Sequence, residues 1–260
     1  MKVIDEHATE NGRDKVAVQA HTWRINDPVV IAAVFPRNKP DTFYARYFIR
    51  YVALLFVVLA GRLGISANAV SLASVPFAVA SGLFLCMPDG SLRLLGALLL
   101  NFWLVLDCVD GSLARLKGSQ PFGEYLDGIS GYFAMTALLI GTGVGGAHEL
   151  NWEPRAIAIL ICGFVGATAN VMARLCYQKF TNVARTLGVA TSDVKPRRGL
   201  LTTVDFNVGV GGIGALAIVP AVLLSKLYVL AIAYCVIYLA SLLAFLAISV
   251  SRAYHRDGSS

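Results

Sequence analysis

The stretch LDCVDGSLARLKGSQPFGEYLDGISGYF, residues 106–133, sets three carboxylates into a chain that is otherwise strongly apolar. Asp107 and Asp110 close one apolar run, a polar turn follows, and Asp127 stands near the start of the next. A carboxylate at bilayer depth costs about 2.5–3.5 kcal/mol, so an acid kept there marks a site unless something pairs it. Helical residues three apart are neighbours on one face, and Gly111 and Ala114 extend that face with almost no side chain. A groove of two acids beside bare backbone admits a bulky polar ligand. Asp127 can point into the same space from across the turn. Three hard oxygen ligands near a water-accessible helix end suit a divalent cation, Mg2+ or Mn2+, which takes carboxylates together with phosphate oxygens. The competing reading pairs Asp107 and Asp110 with Arg115 and Lys117, but acids placed beyond the apolar run would do that at lower desolvation cost.

Working outward, the composition fixes the solvent. The chain is 57% hydrophobic and 15% charged, with a mean hydropathy of +0.66, far too apolar for a soluble domain of this length. A formal charge of +6 and a pI near 9.1 could suggest nucleic acid. The basic residues instead fall between apolar runs, as at an anionic membrane surface, and no interleaved basic and aromatic module is present. Five cysteines, with no C-x-x-C pair, read as small buried hydrophobes.

The expected fold is an all-α integral membrane domain, residues 41–260, behind a polar cytoplasmic tail, residues 1–40. No signal-peptide pattern is present in that tail. Within it, Trp23 and His21, near the apolar VVIAAVF, can anchor it to the membrane domain. Residues 41–65 mix Arg46, Arg50 and Arg62 with Tyr44, Phe48, Tyr51, Leu55, Phe56 and Leu59, which suits an interfacial amphipathic helix better than a clean span. Six transmembrane helices follow, near 67–87, 92–114, 123–147, 154–178, 204–224 and 227–250, each about the 20 residues a bilayer requires. Of 22 Lys and Arg, only Arg93, Arg155 and Lys226 fall outside when the amino terminus is inside. The positive-inside rule therefore puts both termini and the 106–133 turn in the cytoplasm, in a multi-pass protein whose site faces the cytosol.

Asp107, Asp110, Gly111, Ala114, Arg115, Gly123 and Asp127 together resemble the motif of the CDP-alcohol phosphotransferase family, D-x-x-D-G-x-x-A-R followed by G-x-x-x-D-x-x-x-D. Seven of its eight residues match. The segment ANAVS, residues 67–71, is similar to the family's P-N-x-[hydrophobic]-T. The resemblance implies a six-helix homodimer with a metal-bearing cavity open to the cytosol. It implies transfer of a substituted phosphate from a CDP-linked lipid to an alcohol acceptor, with release of CMP, in phospholipid synthesis. It assigns the metal to Asp107, Asp110 and Asp127, and the nucleotide side to Gly111, Ala114, Arg115 and Gly123. Asn68 and Ser71 can hydrogen-bond the donor phosphates, although helix capping by Ser66 and Asn68 explains them equally well.

Two positions depart from the pattern. Seven residues separate Arg115 from Gly123 where the family usually has eight, which a turn can absorb. The last aspartate, to which the family assigns deprotonation of the acceptor, is Gly131. General-base assistance is worth about 10²–10⁴ in rate, whereas phosphoryl chemistry depends chiefly on positioning and charge neutralisation. Binding should then survive better than turnover. Glu124 shares the helix face but stands roughly 10 Å from position 131 at 1.5 Å per residue. Asp205 is a second weak substitute, with an equally good role at a helix start. Gly128 and Gly131 taken alone read as sites of close helix packing.

On the acceptor side, Arg174, Lys195, Arg197 and Arg198 form a candidate cradle for a small polar, phosphorylated alcohol, since guanidinium binds phosphate bidentately; the positive-inside rule explains these four as well. Two other readings compete. One is a non-catalytic homologue that binds a CDP-lipid without the base. The other is a transporter, for which no inverted repeat or broken-helix pair is evident.

Overall fold

The structure, a computed structural model, describes residues 23–36, 41–118, 121–186 and 210–257. Among these residues it is all-helical. Helix α1, Pro28–Val34, is capped by Asp27, whose carboxylate accepts from the Val29 N–H, with proline at its first position. A π-helical turn, Ala45–Ile49, runs into α2, Arg50–Arg62. That helix ends where Gly64 takes φ 71° and the Ile65 N–H returns to the Ala60 carbonyl, a left-handed cap that glycine adopts without strain. Ser66 caps α3, Ala67–Leu85, and Asp89 caps α4, Gly90–Lys117. Prolines open α5, Pro121–Glu149, and α6, Pro154–Thr186. A second π-helical turn, Val210–Gly214, leads into α7, Ala215–Leu223, and α8, Leu227–Asp257, completes the bundle.

Among the described residues, five stretches are long and apolar enough to cross a membrane: Ala67–Leu85, Gly90–Lys117, Tyr125–Glu149, Pro154–Val183 and Leu227–Ala247. They match the expected spans near 67–87, 92–114, 123–147, 154–178 and 227–250. The remaining expected span, 204–224, begins on residues outside the described ones. Its described part is the short apolar helix Gly212–Leu223.

Helix α3 packs along both α4 and α5, α5 along α6 and α8, and α4 along α2 and α7. Helices α4 and α5, though consecutive, touch each other only lightly. Both lean on α3. Leu85, Leu100, Leu113, Leu138 and Leu139 fill the shared interior, with Val109 beside them.

The far half of the bundle is held by backbone approach. Gly143 and Gly163 meet so closely that a Cβ on Gly143 would stand 2.8 Å from the Gly163 Cα. Small residues allow such approach where lipid provides no hydrophobic drive between helices.

Helix α1 lies within the stretch read as a polar tail, yet Val30 and Val34 are fully buried against the helices behind them. Of the two expected anchors, His21 lies outside the described residues and Trp23 holds this segment: its indole covers Gly61, its carbonyl accepts from Arg62 Nε at 2.9 Å, and Lys117 lies 5.3 Å over its ring. Along the π-helical turn and α2, Tyr47, Tyr51, Leu55 and Leu59 form an outward apolar row at four-residue spacing. Arg50 turns the other way and is buried. It pairs with Asp41 and donates to the Val34 carbonyl, which ties α1 to α2. Tyr44 donates to Asn101 Oδ1 at 2.7 Å, and burial pushes its phenol above the ordinary value, keeping it a donor. Of the cysteines, Cys108 alone is fully buried; the other four are half-buried, less enclosed than expected.

A candidate carboxylate site between three helices

The acids of the 106–133 stretch come together at the α4–α5 end of the bundle. Asp110 is buried and accepts a 2.5 Å hydrogen bond from Ser71 Oγ on α3. Asp107, one turn earlier on α4, lies within electrostatic reach of Asp110, of Asp127 on α5 and of Arg50. Asp127 is exposed and within electrostatic reach of Asp110 too. Three like charges thus crowd a small volume, with Arg50 as the nearby cation from outside the motif.

A polar chain supports the acids from behind. Ser74 Oγ donates to the Ser71 carbonyl at 2.7 Å and bonds Ser130 Oγ at 2.7 Å, and Trp103 Nε1 donates to the same Ser130 oxygen at 2.7 Å. This chain joins α3, α4 and α5 and fixes the register in which the acids face one another. Buried groups of this kind specify one arrangement when every member is satisfied. Ser74 and Ser130 were not singled out in the sequence. The available signal was their three-residue offset from Ser71 and Asp127 within apolar runs.

The motif's small residues act in different ways. Gly123 is pressed against Asn68: a Cβ there would collide with the Asn68 Oδ1. The motif therefore links α3 to the start of α5, and Asn68 and Ser71 both stand at the site. Ser66 is the α3 cap, accepting from the Ala69 N–H at 3.2 Å. Among the described residues, Gly111 is covered only by the Arg115 guanidinium, 3.4 Å from its Cβ position. Arg115 itself reaches back to the Ala33 carbonyl at 2.8 Å and Ser112 Oγ at 3.1 Å, so it braces α1. Lys117 donates to the Ile65 carbonyl at 2.8 Å. Neither cation forms an ion pair with Asp107 or Asp110 among the described residues. Ala114 lies one turn beyond Asp110 and is half-buried.

The packing reading of Gly128 and Gly131 is corrected. Among the described residues, a Cβ at Gly128 would meet nothing within 4 Å, and one at Gly131 would meet only Arg174 Nη1, at 3.7 Å. Among these residues, neither glycine is pressed against the backbone of a neighbouring helix. Arg174, on α6, lies 5.1 Å over the Tyr132 ring, and Gln178, one turn on, donates to Tyr132 Oη at 2.6 Å. Of the cradle, Arg174 stands next to the motif, while Lys195, Arg197 and Arg198 lie outside the described residues. Asp205 and the side chain of Glu124 lie outside them as well.

No group of three or more His, Cys, Asp or Glu side chains among the described residues is already assembled to hold a metal ion. The donor chemistry nevertheless fits a hard cation. The three carboxylates lie within electrostatic reach of one another, and a divalent ion would neutralise their mutual repulsion through oxygen donors. No family model matches the chain, and no curated protein matches it as a relative.

Proposed function

We propose that the chain transfers a substituted phosphate, a phosphatidyl group, from a CDP-linked lipid donor to the hydroxyl of a small polar alcohol, releasing CMP, and so belongs among the CDP-alcohol phosphotransferases. The convergence of Asp107, Asp110 and Asp127 between α3, α4 and α5 carries this reading, with Ser71 on Asp110 and Asn68 on Gly123. We further read the unit as six spans preceded by an interfacial helix, assembled as a homodimer, with the α4–α5 turn in the cytoplasm.

In this reading Asp107, Asp110 and Asp127 would hold Mg2+, which when bound neutralises charge on the donor's pyrophosphate. The chain's residues supply position. Ser71 fixes the Asp110 carboxylate, and Asn68 stands where the donor's phosphates enter. Bare backbone at Gly111 and Ala114 leaves room for the nucleotide against α4. Arg50 balances part of the acidic charge and ties the site to α1 and α2. A solvent-accessible Asp127 faces the acceptor. The absence of a carboxylate at residue 131 removes one general base, worth about 10²–10⁴ in rate, and leaves donor binding intact.

The test is CMP release by purified protein in lipid with Mg2+, CDP-diacylglycerol and candidate acceptors, for the chain and for Gly131→Asp. Metal-dependent CMP release in either supports the transferase. Metal-dependent donor binding with no release in either favours the competing reading, a non-catalytic CDP-lipid binder. No binding and no release would refute both.

A further inference from the structure

We propose, resting on the transferase reading, that α1 is a strap that competes with the donor for Arg115. With α1 in place the guanidinium covers the nucleotide's seat; donor binding draws it off α1 and loosens that helix.

Seat and strap share one side chain. Gly111 presents bare backbone next to Asp110, and among the described residues only Arg115 stands over it, with Nη1 3.4 Å and Nη2 3.9 Å from its Cβ position. The same guanidinium donates from Nε to the Ala33 carbonyl at 2.8 Å and from Nη2 to Ser112 Oγ at 3.1 Å. A nucleotide laid against Gly111 needs the volume that the two Nη atoms fill. Arg115 must then swing aside, and the swing gives up the bond from Nε to Ala33.

The exchange is favoured once a donor is present. Ala33 and Val34 end α1, where carbonyls lack partners within the helix. Arg115 takes the first and Arg50 the second. A helix-end carbonyl offers only partial charge, whereas a pyrophosphate offers full charges and accepts from guanidinium bidentately. Arg115 lies within electrostatic reach of Asp110, so it need not travel far to meet phosphates held there. Arg50, paired with Asp41, keeps the Val34 carbonyl, so α1 loosens without leaving. The packing of Val30 and Val34, both fully buried, sets the opposing side of the balance.

The competition fixes the sign of the coupling. If the donor loosens α1, then loosening α1 by other means strengthens donor binding, by the same factor. A brace that merely supported the site would do the reverse.

The experiment follows hydrogen exchange of the α1 amides in the full chain, in lipid nanodiscs with Mg2+. Samples carry CDP-diacylglycerol, phosphatidic acid or no ligand, and donor affinity is titrated in parallel. Asp27→Ala removes the α1 cap, Val30→Ala with Val34→Ala thins its packing, and Arg115→Lys keeps the charge but gives up the guanidinium fork. In the chain, CDP-diacylglycerol should speed α1 exchange about fivefold or more, and both α1 variants should bind it about fivefold more tightly. Arg115→Lys should exchange α1 rapidly without ligand and lose the response to donor. Asp27→Ala, at the half-exposed cap, carries the affinity test if the double variant does not fold. Donor binding in the chain with α1 exchange unchanged or slowed overturns the strap and leaves the transferase reading standing. So does equal loosening by phosphatidic acid, or donor affinity that fails to rise in the α1 variants. Failure of CDP-diacylglycerol to bind the chain and every variant overturns both.

Discussion

Helix α5 carries glycine along its whole length, and Gly128 and Gly131 are placed unlike the four glycines near its end. Toward its end, Gly141, Gly143, Gly145 and Gly146 each sit where a Cβ would come within 3 Å of Leu85, Gly163 or Tyr228. Toward its start, past Gly123 and its contact with Asn68, a Cβ would meet, among the described residues within 4 Å, nothing at Gly128 and Arg174 alone at Gly131. One set lets helices close, the other keeps a groove from filling. The same residue type at helical spacing thus means packing or vacancy depending on which helix stands opposite. Here the difference follows from α4 and α5 both leaning on α3 while scarcely touching each other.

The comparison breaks first at the tight end. Gly143→Leu forces a side chain onto the Gly163 backbone and should destabilise the protein by at least about 1–3 kcal/mol, read as a lower thermal midpoint in detergent. Next comes the polar chain that sets the groove's width. Ser130→Ala strips Trp103 Nε1 and Ser74 of their shared partner and should cost about 1–3 kcal/mol, measurable by the same melt and by altered tryptophan fluorescence. Gly123→Ala displaces Asn68 without touching the carboxylates. We expect donor affinity to fall about fivefold, roughly 1 kcal/mol, in a binding titration, with the melt little changed. Gly128→Ala should be the mildest, within about 0.5 kcal/mol. A large loss at Gly128 would show that the open half is packed after all, by a second copy or by segments beyond the described residues.

Much of this was legible beforehand, for reasons that also mark where legibility stops. Apolar length located the five spans, because a bilayer demands it of any crossing helix. The three-residue spacing of Asp107 and Asp110 placed both on one face, and Ser71 could be linked to the site through the motif resemblance. Periodicity, however, reports that a face is apolar and not what opposes it. It therefore misread Gly128 and Gly131, and it gave no sign that Arg50, set among aromatic residues, turns inward to Asp41 and the Val34 carbonyl. The burial of Val30 and Val34 escaped for a related reason: seven residues of helix carry too little pattern to stand out from a polar tail. The approach of Arg174 to Gly131 joins residues 43 apart in sequence and arises only when α6 folds back along α5.

The central claim is that Asp107, Asp110 and Asp127 act as one cation-dependent donor site. It is tested most directly by measuring CDP-diacylglycerol binding to the protein in lipid nanodiscs, with Mg2+ and with chelator, for the chain and for Asp107→Asn and Asp110→Asn. The account expects binding that requires Mg2+ and disappears in both variants while their melting behaviour stays near that of the chain. Donor affinity that ignores chelator, or that survives either substitution unchanged, would contradict it.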